Sequence, residues 1–125
     1  EVVLGRFKKG QHYCATCACR TKRWEEQESD VAIGVRLLEI LVRDEADLVV
    51  VVSGDTDLVP AVRTARRLFP AKEVRCAFPY GRKNKELEQV ANDSFNMKHH
   101  NYLNFQLPDP VVLPTGRELR KPAGW

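Results

Sequence analysis

Two aspartates separated by one residue, Asp55 and Asp57, stand in the run Ser53-Gly54-Asp55-Thr56-Asp57, directly after an unbroken aliphatic stretch over residues 48–52. Carboxylates at that spacing in a tight turn can converge on one hard cation. Magnesium and manganese favour such oxygen ligands, keep several waters, and complete their shells with substrate phosphates. In open parallel sheets, functional groups collect outside the carboxyl ends of the strands, where this turn is expected. A plainer reading stands beside it: Asp57 caps the following helix and Asp55 is a solvated turn residue. A third acid, Asp30, opens a predicted helix beside the same strand. Its carboxylate can reach the same strand end, or simply complement the positive end of its own helix.

A second group of chemically able side chains is His12, Cys14, Cys17 and Cys19, crowded beside Arg20, Lys22 and Arg23. Zinc prefers sulfur and nitrogen ligands, and Cys14-x-x-Cys17 is a usable half-site, although a complete site ordinarily draws its second pair from farther along the chain. Free thiols in a surface loop, a decayed zinc ribbon and a half-site shared between subunits are the open readings. Tyr13 and Trp24 flank the same basic loop; they suit stacking on unpaired bases, but packing of the loop onto the domain is preferred. Cys76 is expected to be a small buried hydrophobe. His99 and His100 are expected at the surface, ahead of Tyr102, Leu103 and Phe105, which would dock the tail.

Several elements must position these groups. Residues 1–8 read as a short strand. Residues 10–24 change to cysteine, small and basic residues, as in an exposed insertion or knuckle. Ser29 is a favoured N-cap residue, and a helix is predicted over 30–42. Its stripe of Val31, Val35, Leu38 and Val42, widened by Ile33, Leu37, Ile40 and Leu41, is expected to face a sheet, with Arg36, Glu39 and Arg43 outward. Residues 48–52 are β-branched or aliphatic without alternation, which predicts a strand buried on both faces. Such burial requires neighbours on each side, so a partner or an additional segment is expected, either as a homodimer or as an associated N-terminal piece.

After the aspartates, a helix with Pro60 near its start carries Val59, Val62, Leu68 and Phe69 inward and Arg63, Arg66 and Arg67 outward, stopping at Pro70. Residues 74–78 form another strand, Asn84 caps a helix through Leu87 and Val90, and a last strand or turn lies near 95–97. The prolines at 108, 110, 114 and 122 predict an extended tail over 108–125, leaving 1–107 as the domain. Alternation of helix and strand argues for an α/β domain with a mainly parallel sheet flanked by helices.

A chain of 125 residues accommodates one such domain, and 43% hydrophobic with 30% charged residues excludes wholesale disorder. A net charge of +3 and a sequence pI of about 8.8 are compatible with a polyanionic partner without establishing one. No apolar run approaches the ~18–20 residues that span a membrane, and no signal or lipidation motif is visible. Four cysteines without a secretory signal point to a reducing, cytoplasmic setting. The chain begins at Glu1 rather than methionine, as expected of a fragment or processed product.

The segment Ser29-Asp30-Val31-Ala32-Ile33, the block from Val52 through Asp55 and Asp57 to Val62, and residues 74–79 followed by Arg82 and Lys83 together resemble the NYN domain family, LabA-like members of the PIN-like nuclease superfamily. The resemblance covers residues 29–97. It implies a PIN-like three-layer fold and metal-dependent, RNA-directed nuclease chemistry, with single-stranded RNA as partner. It implies that Asp30, Asp55 and Asp57 bind Mg2+ or Mn2+, which would activate water and stabilise the departing oxygen of a phosphodiester. Ser53 and Gly54 would shape the turn, Thr56 could bond a carboxylate or phosphate, and Arg82, Lys83 and Lys85 would contact backbone phosphates or form a solvated basic loop.

The sequence departs from the family at its first strand, which carries an aspartate followed shortly by an asparagine; nothing before Asp30 provides these. Either that strand is missing from the chain or a metal ligand is absent. The family also places an acid near the end of the third helix, where Asn92-Asp93 lies. Enzyme and non-catalytic RNA-binding or protein-interaction module are therefore the two readings. A nucleotide-sugar transferase using Asp-x-Asp would need a second acceptor-binding region, and a glycine-rich phosphate loop is absent.

Overall fold

The computed structural model describes residues 2–124; Glu1, which begins the strand expected over 1–8, and Trp125 lie outside the described residues. The chain opens with β1 (Arg6–Tyr13) paired antiparallel to β2 (Arg20–Gln27). The expected short strand thus starts later and runs longer, and most of the expected insertion is regular ribbon. β-Branched and aromatic residues at Tyr13, Thr21 and Trp24 suit paired strands, which confines irregular chain to residues 14–19. That loop is closed by Cys14 N–H donating to the Cys19 carbonyl at 3.0 Å, with Ala18 in the left-handed region at φ 55°.

Helix α1 (Ser29–Val42) begins at the residue expected to cap it. Glu28 holds the cap position at φ 79°, and the Ser29 hydroxyl instead donates to the Glu26 carboxylate. The buried face of α1 is Gly34, Leu37 and Leu41, so the expected stripe holds at Leu37 and Leu41, with Leu38 partly buried, and fails at its valines. Val31, Val35 and Val42 are 70%, 61% and 69% exposed. The helix is apolar around most of its circumference, so periodicity alone did not decide which side faces inward. Gly34 decides it: a Cβ there would lie 3.1 Å from that of Ala61, so helix approaches helix at that point.

The sheet is parallel, in the order β3 (Leu48–Val52), β4 (Glu73–Phe78), β5 (Asp93–Asn96). A 3-10 turn (Thr56–Leu58) and α2 (Val59–Leu68) connect β3 to β4, and α3 (Lys85–Val90) connects β4 to β5. Val51, Val74, Cys76 and Phe78 meet Leu37 and Leu41 of α1, Val62 and Ala65 of α2, and Leu87 of α3 in one buried cluster. Cys76 is fully buried, as expected, and burial pushes its thiol pKa up. Leu68, expected inward, is 55% exposed, because Ala65 takes the buried position on that turn.

The strand buried most completely is β4, not β3. Leu48, Val50 and Val52 are 40%, 41% and 57% exposed. β3 is an edge strand, pairing only with β4 among the described residues, so part of its aliphatic run stays open to solvent. Beyond the sheet lie α4 (His99–Asn104) and a small hairpin of β6 (Val111–Val112) and β7 (Glu118–Leu119) in the expected extended tail. Tyr102 docks α4 by accepting the Tyr80 N–H at 3.0 Å, whereas Leu103 and Phe105 remain 66% and 83% exposed. No helix among the described residues is long and apolar enough to cross a membrane.

At the end of the sheet away from the aspartate turn, the Lys72 ammonium donates to Asp44 and, at 2.6 Å, to Asp47. This pairing joins the α1–β3 connection to the start of β4, beside the Glu73 N–H bond to the Asp47 carbonyl. The Lys72 hydrogen bond and charge hold the Asp47 carboxyl below its ordinary value of 3.8, and the two aspartates raise Lys72 above 10.5. The pairing therefore supports the fold at neutral pH, is lost as pH falls below 3.8, and is lost at the alkaline end only above 10.5. Lys72→Met is expected to lower the melting temperature at pH 7, with the difference from wild type vanishing in thermal scans below pH 3.8. A difference independent of pH would show that Lys72 acts through its methylenes instead.

Candidate functional site

The parallel pairing of β3 with β4 brings both strands' carboxyl ends to one edge of the sheet. There the turn after β3 touches the loop after β4. A Cβ on Gly54 would stand 2.1 Å from the Arg82 carbonyl oxygen, so only glycine permits this backbone contact. Asn84 fastens it: its side-chain amide donates to the Gly54 carbonyl at 3.0 Å, while its oxygen caps α3 by accepting from Glu86 N–H at 2.9 Å and Leu87 N–H at 3.1 Å. The expected cap is thus present, and it has a second task that sequence reasoning missed.

Within the turn, Ser53 Oγ accepts the Asp55 N–H at 3.1 Å, and Asp55 Oδ1 accepts the Asp57 N–H at 3.0 Å. The capping considered for Asp57 is therefore performed by Asp55, one turn earlier, because a 3-10 turn precedes α2. Ser53 serves the turn, and Thr56 is exposed at the start of the 3-10 segment. The side chain of Asp57 is left facing outward.

Asp30, in the first turn of α1, and Asp57 line one groove of about 350 Å³, together with Glu28, Gly34, Pro60 and Ala61. The Asp30 carboxyl is pushed above its ordinary value, first by loss of solvent and then by the charges of Asp55, Asp57 and Glu26. The charges of Asp55, Asp57 and Glu26 thus reach Asp30, and Glu28 lines the same groove. Those glutamates were legible only as an acidic lead into a helix. Among the described residues, no three His, Cys, Asp or Glu side chains are grouped closely enough to hold a metal ion. Asp93 is not part of the neighbourhood: it opens β5, level with Arg75 in the middle of β4, and its carboxylate accepts the adjacent Ser94 N–H.

Of the basic residues, Arg82 supplies the backbone that meets Gly54, Lys83 pairs with Glu88 at 2.7 Å, and Lys85 is exposed at the start of α3. His12, Cys14, Cys17 and Cys19 lie at and beside the tip of the β1–β2 ribbon. The Cys14 thiol is held below its ordinary pKa, chiefly by the Cys17 backbone N–H, then by the Cys17 thiol and the Thr16 N–H. Cys19 Sγ donates to the Cys17 carbonyl at 3.3 Å, so the three tip thiols are oriented by the loop rather than gathered around one centre.

The NYN domain family model matches residues 5–98. Among solved structures, the crystal structure of a protein of unknown function from Vibrio parahaemolyticus is 24% identical, with a TM-score of 0.51, over 58% of this chain and 43% of that one. At that identity the likeness concerns the fold alone, and this chain spans less than half the length of that protein. No curated protein matches.

The Gly54 contact makes a specific expectation. Gly54→Ala must push the two loops apart, and overpacking of this kind costs about 1–3 kcal/mol. Urea unfolding should show a lowered midpoint with an unchanged slope. An unaltered midpoint would mean that the loops separate freely and do not fix the aspartate turn.

Proposed function

The chain belongs to the NYN domain family of the PIN-like nuclease superfamily, with the nuclease-like, RNA-related function of that family, and on that premise we propose that it is the acid-bearing part of a metal-dependent endoribonuclease. The observation that carries this reading is the convergence of Asp30, Asp55 and Asp57 on one electrostatic neighbourhood at the carboxyl edge of a parallel sheet. Carboxylates held near one another are relieved of their repulsion by a cation, and hard oxygen donors suit Mg2+ or Mn2+. The chemistry such an ion supplies is activation of a water and neutralisation of charge at the scissile phosphodiester.

The residues divide the remaining work. Asp55 commits one carboxylate oxygen to the Asp57 N–H, which holds the turn and leaves the other oxygen for a ligand. Asp30 and Asp57 face each other's groove from α1 and from the turn. Thr56 and Lys85 are exposed near the same edge, where they can meet a phosphate, while Arg82 and Asn84 keep the loops together.

The donor set fits the ion in kind but is short in number, since no three such groups are close enough by themselves. A groove of about 440 Å³ beside it, lined by Ala32, Ile33, Leu37 and Ile40 of α1, by Val49, Val50, Val51 and Val52, and at one side by Val3 and Gly5, follows the edge of β3 left unpaired among the described residues. We take this edge as the seat of one more parallel strand, from a segment outside the described residues, carrying the family's first-strand aspartate. The exposed aliphatics of β3 and α1 support that reading, because a strand there would bury them at about 25 cal/mol per Å² of apolar surface.

The test is manganese-dependent cleavage of a labelled single-stranded RNA by the parental protein, beside Asp55→Asn. Asparagine keeps an oxygen able to accept the Asp57 N–H, so the turn survives while the charge is lost. Cleavage is expected to fall by more than roughly 100-fold, beyond the 10–100-fold typical of disturbing a metal's outer partners, with RNA binding retained. Cleavage that is absent from the parent or unchanged in the variant would overturn the nuclease reading in favour of an RNA-binding module.

A further inference from the structure

The β1–β2 ribbon gathers aromatic and basic side chains on one face. In an antiparallel pair, directly opposed residues point to the same side, and alternate residues along each strand share it. The register opposes Lys9 to Trp24 and Tyr13 to Arg20, with Gln11 opposite Lys22 and Phe7 opposite Glu26. One face therefore interleaves Phe7, Trp24 and Tyr13 with Lys9, Lys22 and Arg20. The three rings are 65%, 63% and 59% exposed, so Tyr13 and Trp24 do not pack the loop onto the domain as expected. Lys9 Nζ lies 5.7 Å from the Trp24 ring centroid.

We propose that this face is a platform for single-stranded RNA, with bases stacked on Phe7, Trp24 and Tyr13 and phosphates met by Lys9, Lys22 and Arg20. At about 3.3 Å per residue the rings stand about 7 and 13 Å apart along the ribbon, a span of several nucleotides. Aromatic faces accept any unpaired base, whereas a duplex keeps its bases stacked inside. A protein partner fits less well, because the cores of protein interfaces are depleted in lysine. Glu26, at the ribbon's base, is the face's single acid. That base runs through Gln27 and Glu28 directly into the first turn of α1, where Asp30 stands, so a strand lying along the ribbon is led toward the acidic groove. The choice of RNA rests on the function proposed above, but the platform does not require catalysis.

The test uses the protein with Trp125→Phe, which leaves Trp24 as the sole tryptophan of the two in the chain. It is titrated with a single-stranded RNA of about 12 nucleotides, within the site sizes of such platforms, in EDTA, so that binding is read without cleavage. Trp24 fluorescence should be quenched on binding. Tyr13→Ala and Phe7→Ala should each weaken binding by roughly 5- to 100-fold, while Tyr13→Phe, which keeps the ring, should not. Replacing Lys9, Arg20 and Lys22 together by alanine should reduce the slope of log K against log salt by roughly 2. Binding is read in EDTA and requires no cleavage, so failed cleavage and a failed platform are separable. Binding that leaves Trp24 unquenched, or survives loss of the rings, overturns the proposal. Quenching that instead follows self-association of the chain would make the face a protein interface and overturn it as well.

Discussion

Only a hydrogen atom fits on residue 54, because the Arg82 carbonyl oxygen occupies the space a side chain would need. That contact draws the loop after β3 against the loop after β4, and Asn84 holds it by bonding to the Gly54 carbonyl while capping α3. Once the two loops are joined, Asp55 and Asp57 have one available position, at the carboxyl edge of the sheet. Parallel pairing does the rest, since it aligns the ends of both strands at the same edge. The acidic neighbourhood is therefore a consequence of backbone proximity, and the carboxylates themselves oppose it through their mutual repulsion.

The core is one-sided. Helices α1, α2 and α3 cover the face of the sheet bearing Val51, Val74, Cys76 and Phe78. The opposite face leaves Val50 and Val52 of β3 and Phe95 of β5 partly exposed. Half of α1 is in the same condition, with Val31, Val35 and Val42 open to solvent. The aliphatic groove along the edge of β3, where Ile33 and Ile40 of α1 stand beside Val50 and Val52, is the surface that the proposed additional strand would bury. The same segment would complete a ligand set that the described acids leave short. Stability and metal binding would then depend on one addition rather than two.

The ribbon stands outside that core. Its two strands bury almost nothing, yet they are regular over eight residues each, because pairing alone satisfies their backbones. Such an element has little reason to carry three open aromatic rings for stability. On the two proposals, the ribbon face would hold a strand and the acidic groove would act on it, with the start of α1 as the junction.

Much of this was legible from sequence. The helix–strand alternation, the cap at Asn84, the burial of Cys76 and the Asp55–Asp57 turn each follow from local chemistry, in which a few neighbouring residues contain the whole cause. The acids themselves were identified by spacing and by resemblance to the family. What sequence could not decide was every question of facing. An aliphatic run such as 48–52 reads the same whether both its sides are covered or one is bare, and α1 is apolar on too many sides for its period to choose Gly34, Leu37 and Leu41 over Val31, Val35 and Val42. Nor can sequence show that Phe7, Trp24 and Tyr13 share a face, since they lie on two strands whose register comes from the pairing. Local pattern determined the central helices and strands and which residues bring chemistry, but not β2, α4 or the tail hairpin. Tertiary contact, above all the close approaches at Gly34 and Gly54, decided which sides face inward and which groups meet, because those outcomes depend on atoms distant in sequence.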